Sequence, residues 1–240
     1  CSNKAANEGG GFAQYIKRRS DGCYLLGENM NWQDGALVEP LAVSIHGIRR
    51  GRMNSGDTVV VLGAGTIGLT TVAAARALGA GKIFVTARHN HQAEQAKLLG
   101  ADEVLPPDGP LLKEAVLDST EGRGSDITLE TVGGNNEATI HQSLDITRHM
   151  GQIVILGCFS TPVPVDFLQC HIKEHNILVS ICYSIIDGKH DYEVAIDLMN
   201  SGRVNLNDLV THKFTLSDIQ QGFDIASDKS SRCVKVQIHQ

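Results

Sequence analysis

Three glycines punctuate the run Val59-Val60-Val61-Leu62-Gly63-Ala64-Gly65-Thr66-Ile67-Gly68-Leu69 at the spacing G-x-G-x-x-G. The chemistry open to such residues is phosphate binding by bare backbone. The four apolar residues before them do not alternate with polar ones, as in a strand covered on both faces. An Ala- and Leu-rich helix is predicted after them, over 67–79, ending at Gly79. In a strand–turn–helix of this kind Gly63 permits the tight turn. Gly65 lets a pyrophosphate approach the main chain, and Gly68 lets helix and strand pack closely. The helix start at Thr66 and Ile67 offers free N–H groups and a positive dipole end. Gly63, Gly65, Thr66, Ile67 and Gly68 are therefore predicted to bind a dinucleotide or related nucleotide. The same glycines also fit a plain turn that binds nothing.

The next strand, Lys82-Ile83-Phe84-Val85-Thr86, decides which nucleotide. Folds of this kind usually place Asp or Glu at its end, about 20 residues past the glycines, on the ribose 2′-hydroxyl. Here the strand runs into Ala87-Arg88-His89-Asn90-His91, and the first acid afterwards is Glu94. A carboxylate would repel a 2′-phosphate. A small residue followed by Arg makes room for one and can grip it with a planar fork. The expectation is NADP(H) over NAD(H), with Ala87 and Arg88 as discriminators and His89 and Asn90 as helpers. The missing acid also disfavours S-adenosylmethionine. The alternative is that Arg88 is a solvated surface residue.

These residues need a frame. The chain has 240 residues, 42% of them hydrophobic, and a net charge of −6. That suffices for one large domain or two smaller ones and disfavours nucleic-acid binding through bulk positive charge. No apolar run nears the roughly 18 residues that span a membrane. The six cysteines lack any C-x-x-C pair. They read as reduced thiols of a cytoplasmic protein. Strands are predicted at 58–62, 82–86, 103–105, 126–130, 152–156 and 177–181. Helices are predicted at 67–79, 90–99, 110–119, 135–147 and 166–172. This alternation is that of an α/β doubly wound parallel sheet. Before it, Phe12-Ala13-Gln14-Tyr15-Ile16 reads as strand-like. A helix is expected over 32–50, capped by Asn31 or Asp34 and interrupted at Pro40. After it come a helix at 191–200, strand-like 209–214, a helix near 217–227 and a closing strand at 233–238. The two ends are expected to pack together as a second domain. The polar start, without Met, reads as the interior of a longer protein.

The sequence resembles the medium-chain dehydrogenase/reductase superfamily, and within it the zinc-dependent sorbitol, threonine and related polyol dehydrogenases. The segments that carry the likeness are Gly10-Gly11-Phe12-Ala13-Gln14-Tyr15, Leu37-Val38-Glu39-Pro40-Leu41-Ala42-Val43 and 56–68. Ala96-Lys97-Leu98-Leu99-Gly100-Ala101-Asp102, Gly151-Gln152-Ile153-Val154-Ile155-Leu156-Gly157 and Leu209-Val210-Thr211-His212-Lys213-Phe214 complete the set in family order. The resemblance implies a Rossmann domain over 49–184. Parts of a GroES-like, β-rich catalytic domain would flank it, over 1–48 and, returning, over 185–240. It implies that the start of the catalytic domain, on the order of a hundred residues, is absent. That part would carry a cysteine and a His-Glu pair for the catalytic zinc.

By the same resemblance Glu39 is the catalytic-site carboxylate that approaches Zn2+, directly or through water, though about three protein ligands are needed to hold the metal. Cys1 falls near the last structural-zinc cysteine. Thr131, Val132 and Gly133 would bridge adenosine and nicotinamide. Leu156, Gly157 and Cys158 would lie near the nicotinamide. Ile181 and Cys182 would follow with Tyr183, where Cys182 replaces the usual Arg. His46 is expected to be structural, and His171 and His175 to form no metal site. The implied activity is hydride transfer between NADP(H) and an alcohol or polyol, in a homodimer or homotetramer, with 178–181 as a pairing edge. This chain by itself is expected to turn nothing over. A zinc-free quinone-reductase-type enzyme and a non-catalytic nucleotide-binding module are the alternatives.

Overall fold

The computed structural model describes residues 10–135 and 137–239. The role expected of Cys1 lies outside them. In chain order the elements are α1 (Trp32–Arg50), β1 (Thr58–Leu62), α2 (Thr66–Ala77), β2 (Lys82–Thr86), α3 (Asn90–Leu98) and β3 (Glu103–Leu105). Then come α4 (Leu111–Ser119), β4 (Ser125–Glu130), α5 (Ala138–Ile146), β5 (Thr147–Ile155), α6 (Phe167–Lys173) and β6 (Asn176–Val179). The last part holds β7 (Ile185–Ile186), β8 (Lys189–His190), α7 (Asp191–Asn200), β9 (Val210–Thr215), α8 (Ile219–Ser227) and β10 (Lys235–His239).

Strands β1 to β6 form one parallel sheet in the order β3-β2-β1-β4-β5-β6. This is the Rossmann arrangement, with its reversal of winding between β1 and β4. The apolar runs of β1 and β2 are buried on both faces, as unbroken Val/Ile sequences require. Among the described residues no helix is long and apolar enough to cross a membrane.

Helix α1 begins with a capping box: the Asn31 side chain accepts from the Gln33 and Asp34 N–H groups, and Asp34 accepts from Asn31 N–H. The interruption expected at Pro40 does not occur. Leu37, Val38, Leu41, Ile45 and Ile48, on both sides of the proline, are buried against α2 and α7. That burial outweighs the one helical bond Pro40 cannot donate. The Pro40 carbonyl also accepts from the Ser44 and Thr70 hydroxyls at 3.3 Å each.

Four further departures have local causes. Residues 12–16 form no strand; Tyr15 is 92% exposed, and no described strand pairs with the segment. Strand β5 starts at Thr147, five residues early. Thr147 pairs with Ser125, and its hydroxyl meets that of buried Thr128 at 2.7 Å. Strand β6 stops at Val179, and Cys182 then takes a positive φ of 53°. The β7–β8 hairpin was not expected. Its turn, Asp187-Gly188, has positive φ at both residues, the geometry that suits a two-residue hairpin.

The hairpin delivers Asp191, fully buried at the start of α7. Its carboxylate meets His46 Nδ1 at 2.8 Å and accepts from Arg49 at 2.6 Å and from Ser184 N–H at 2.8 Å. His46 thus has the structural role expected of it, joining α1 to α7. Substituting Asp191→Ala leaves buried polar groups without their acceptor. We expect a loss of about 3 kcal/mol and a Tm lowered by roughly 6–12 °C for a chain of this size. Thermal unfolding checks this; a shift under about 2 °C would contradict it.

Candidate functional site: the C-terminal edge of the parallel sheet

The end of β1 is shaped by backbone contacts that leave no room for side chains. Gly63 has φ +100°, and a Cβ there would come within 2.6 Å of Val132 Cγ2. At Gly68 a Cβ would overlap the Gly63 carbonyl and come within 3.0 Å of Thr131 Oγ1. Gly65 is different. Its φ of −76° is open to any residue, and a Cβ there would meet nothing within 4 Å. Neither its dihedral nor its neighbours demand a glycine. What a side chain would obstruct is the open cleft in front of it, about 420 Å³, walled by Ala64, Thr66, Gln92, Phe223 and Val234 among others. Gly65 is also the N-cap of α2, so the Thr66 and Ile67 amides begin the helix beside that cleft. A bare backbone, a helix N-terminus and an open cleft together fit a nucleotide phosphate.

Neighbouring strand ends hold the turn in place. Gly63 N–H donates to Thr86 Oγ1 at 2.8 Å, tying it to the end of β2. Thr131 Oγ1 donates to the Leu62 carbonyl at 2.7 Å, tying it to the end of β4. The Thr66 hydroxyl donates to the Val234 carbonyl at 2.9 Å, which brings the β10 approach over the cleft. Phe12 closes one side with its ring 5.8 Å from that of Phe223.

The residues after β4 and β5 converge. Gly134 pairs with Phe159 as an isolated parallel bridge, and Gly134 N–H donates to the Cys158 carbonyl at 2.8 Å. Gly133 has φ +59°, and a Cβ there would come within 2.5 Å of Cys158. Val132 is 47% exposed at this edge. Leu156 turns its side chain towards Gly47 of α1. Cys158 and Ile181 are exposed, and Cys182 is half-buried.

Sequence reasoning missed Glu130. It is fully buried at the last position of β4. One carboxylate oxygen accepts from Val132 N–H at 2.8 Å and Gly133 N–H at 3.0 Å, while the Glu130 carbonyl accepts from Leu156 and Gly157 N–H. It therefore fastens the β4 and β5 turns to each other. The available signal was an acid ending the apolar run Ile127-Thr128-Leu129 just before a glycine pair.

At the end of β2, half-buried Ala87 is followed by exposed Arg88, His89 and Asn90. They border a cavity of about 480 Å³ with His91, Glu94 and Arg232. Glu39 lies elsewhere, exposed on α1. The Tyr192 hydroxyl near it is pushed up in pKa by burial, then by Tyr183, with a smaller contribution from Glu39. Tyr24 stacks on Tyr192, Tyr183 meets it edge-on with ring centres 4.6 Å apart, and His190 lies tilted beside it. Among the described residues no three His, Cys, Asp or Glu side chains gather as metal ligands. Glu39 alone does not make a zinc site.

A family model of zinc-binding dehydrogenases matches residues 66–201. The chain belongs to this family. It is 33% identical to the sorbitol dehydrogenase of Bacillus subtilis (strain 168) over 233 residues, covering 96% of this chain and 64% of that one. With the sorbitol dehydrogenase of Homo sapiens it shares 34% over 217 residues, 90% of this chain and 59% of the relative. Among solved structures, the 2R,3R-butanediol dehydrogenase of Bacillus subtilis superposes with a TM-score of 0.87 at 28% identity, over 98% of this chain and 65% of that one. A Sinorhizobium meliloti 1021 protein assigned to the zinc-binding dehydrogenases and bound to NADP gives 0.85 at 25% identity, over 96% and 66%. The chain thus spans about three-fifths of the length of these curated sorbitol dehydrogenases.

The glycines separate folding from binding. Gly68→Ala should destabilise the chain by several kcal/mol, of the size seen for overpacked cores. Gly65→Ala should leave stability within about 1 kcal/mol, since lost chain entropy offsets a poorer cap, yet weaken nucleotide binding at least about tenfold. Denaturant unfolding and titration calorimetry on both variants check this; equal loss of stability would contradict it.

Proposed function

We propose that this chain is the cofactor-binding part of an NADP(H)-preferring, zinc-dependent dehydrogenase that interconverts a secondary alcohol or polyol and its ketone. The observation that carries the reading is Ala87-Arg88 at the end of β2, where a carboxylate for the ribose 2′-hydroxyl would otherwise stand. The names of the relatives, sorbitol dehydrogenase and butanediol dehydrogenase, support the substrate class.

When bound, the dinucleotide would donate or accept hydride at its nicotinamide. The chain's own residues do the rest. The turn at Gly63–Gly68 holds the pyrophosphate through main-chain N–H groups, Arg88 takes the 2′-phosphate, and the linked turns 131–134 and 156–158 set the far end of the cofactor. Their mutual bonding means that little has to reorganise on binding, which limits the entropic cost. Glu39 is assigned as one carboxylate of the metal and substrate side. The unbridged thiols Cys23, Cys158, Cys170 and Cys233 suit a reducing cytoplasm.

The partner reading is a homodimer or homotetramer through the β6 edge. Ile177 and Val179 are exposed there, beside exposed Phe167, Leu168 and Ile172 on α6. An apolar edge of this size invites strand pairing. Sedimentation should find a dimer or larger, and Val179→Lys should shift it towards monomer; a wild-type monomer would contradict the pairing.

Replacing Arg88 with aspartate tests the cofactor reading. Arg88→Asp should lower NADPH affinity by about 100-fold, the loss of a charge-assisted pair plus a new repulsion, and leave NADH binding equal or tighter. An unchanged NADPH to NADH ratio would overturn it.

A further inference from the structure

The cavity at the end of β2 is lined from two distant parts of the chain. Arg88, His89, Asn90, His91 and Glu94 come from the β2–α3 junction, and Arg232 comes from the turn before β10. The His89 and His91 rings stack at 5.5 Å and 11°. The His91 pKa is held down by burial, then by the charges of His89 and Arg232, which sets Arg232 within electrostatic reach of that ring. Arg232 adopts φ +57°, a left-handed conformation that a long side chain enters at a cost. Among the described residues neither Arg88 nor Arg232 has a hydrogen bond or ion pair, although Glu94 lines the same cavity. Two unpaired guanidinium groups and two imidazoles thus face one space against a single carboxylate. A doubly charged phosphate would relieve that imbalance through forked, charge-assisted hydrogen bonds.

We propose that Arg232 is a second specificity-determining residue, closing a two-arginine clamp on the 2′-phosphate of the nucleotide from the side opposite Arg88. The inference rests on the cofactor reading above. It adds that selection of the phosphorylated ribose depends on the C-terminal segment, not only on the strand end. The Thr66–Val234 hydrogen bond gives that segment its register over the nucleotide cleft. The clamp therefore joins two parts of the chain that the fold brings side by side at the adenosine end.

The test uses the 240-residue chain with adenosine 2′,5′-bisphosphate, adenosine 5′-monophosphate, NADPH and NADH in titration calorimetry. The variants are Arg88→Ala and Arg232→Asn; asparagine tolerates the left-handed backbone, so the turn is kept. Each variant should weaken the bisphosphate and NADPH by about ten- to a hundredfold, the range of one charge-assisted contact. The monophosphate and NADH should change by less than about threefold. If Arg232→Asn weakens all four ligands alike, the guanidinium serves the 5′ or bridging phosphates and the clamp is wrong. If it changes none of them while Arg88→Ala does, Arg232 is a solvated surface residue. If the wild-type chain, folded by circular dichroism, binds none of the four, the cofactor reading itself fails, and the clamp with it.

Discussion

The site depends on the close approach of Gly68 to the Gly63 carbonyl, which leaves no room for a Cβ. This contact lets α2 lie directly on the end of β1, and a single methyl group would push the two apart. Everything at the site follows from that approach. The α2 N-terminus is brought level with the sheet edge, the Gly65 backbone is left bare towards the cleft, and the ends of β2 and β4 can bond to the same turn through Thr86 and Thr131. The winding reversal between β1 and β4 opens a crevice there, because the crossovers on either side depart in opposite directions.

A second set of bonds makes that edge stiff. Buried Glu130 accepts from the turn that follows its own strand and, through its carbonyl, from the turn after β5. Gly133 and Gly157 are packed closely, and Gly134 bridges to Phe159, so the two separate loops behave as one surface. The helices behind the sheet are anchored by Asp191, which gathers His46, Arg49 and the Ser184 amide. Fold stability and site geometry thus draw in part on different residues. At Gly63, Gly68 and buried Glu130 the two coincide.

How much of this was legible in the sequence depends on the range of the physics involved. The glycine turn and the six parallel strands are set by local patterns, and they read correctly to within about five residues; of the two caps expected for α1, Asn31 or Asp34, the N-cap is Asn31. The family followed from motifs in order, and the match over residues 66–201 bears it out. Pro40 misled because local propensity was overridden by burial on both sides of it. The run 12–16 misled because alternation alone cannot supply a partner strand. The β7–β8 hairpin carried its signal, Asp187-Gly188, in elements too short for periodicity to register. Glu130 left only a weak mark, an acid at a strand end, and Arg232 left none. The first depends on the amides that surround it, and the second on a neighbour more than a hundred positions earlier.

We propose that this sheet edge holds a nicotinamide dinucleotide and prefers the 2′-phosphorylated form. Parallel calorimetric titrations of the unmodified chain with NADPH and NADH test it most directly. The account predicts binding of both, with NADPH tighter by at least about tenfold, as one added charge-assisted contact implies. NADH binding as tight as NADPH, or tighter, would contradict it.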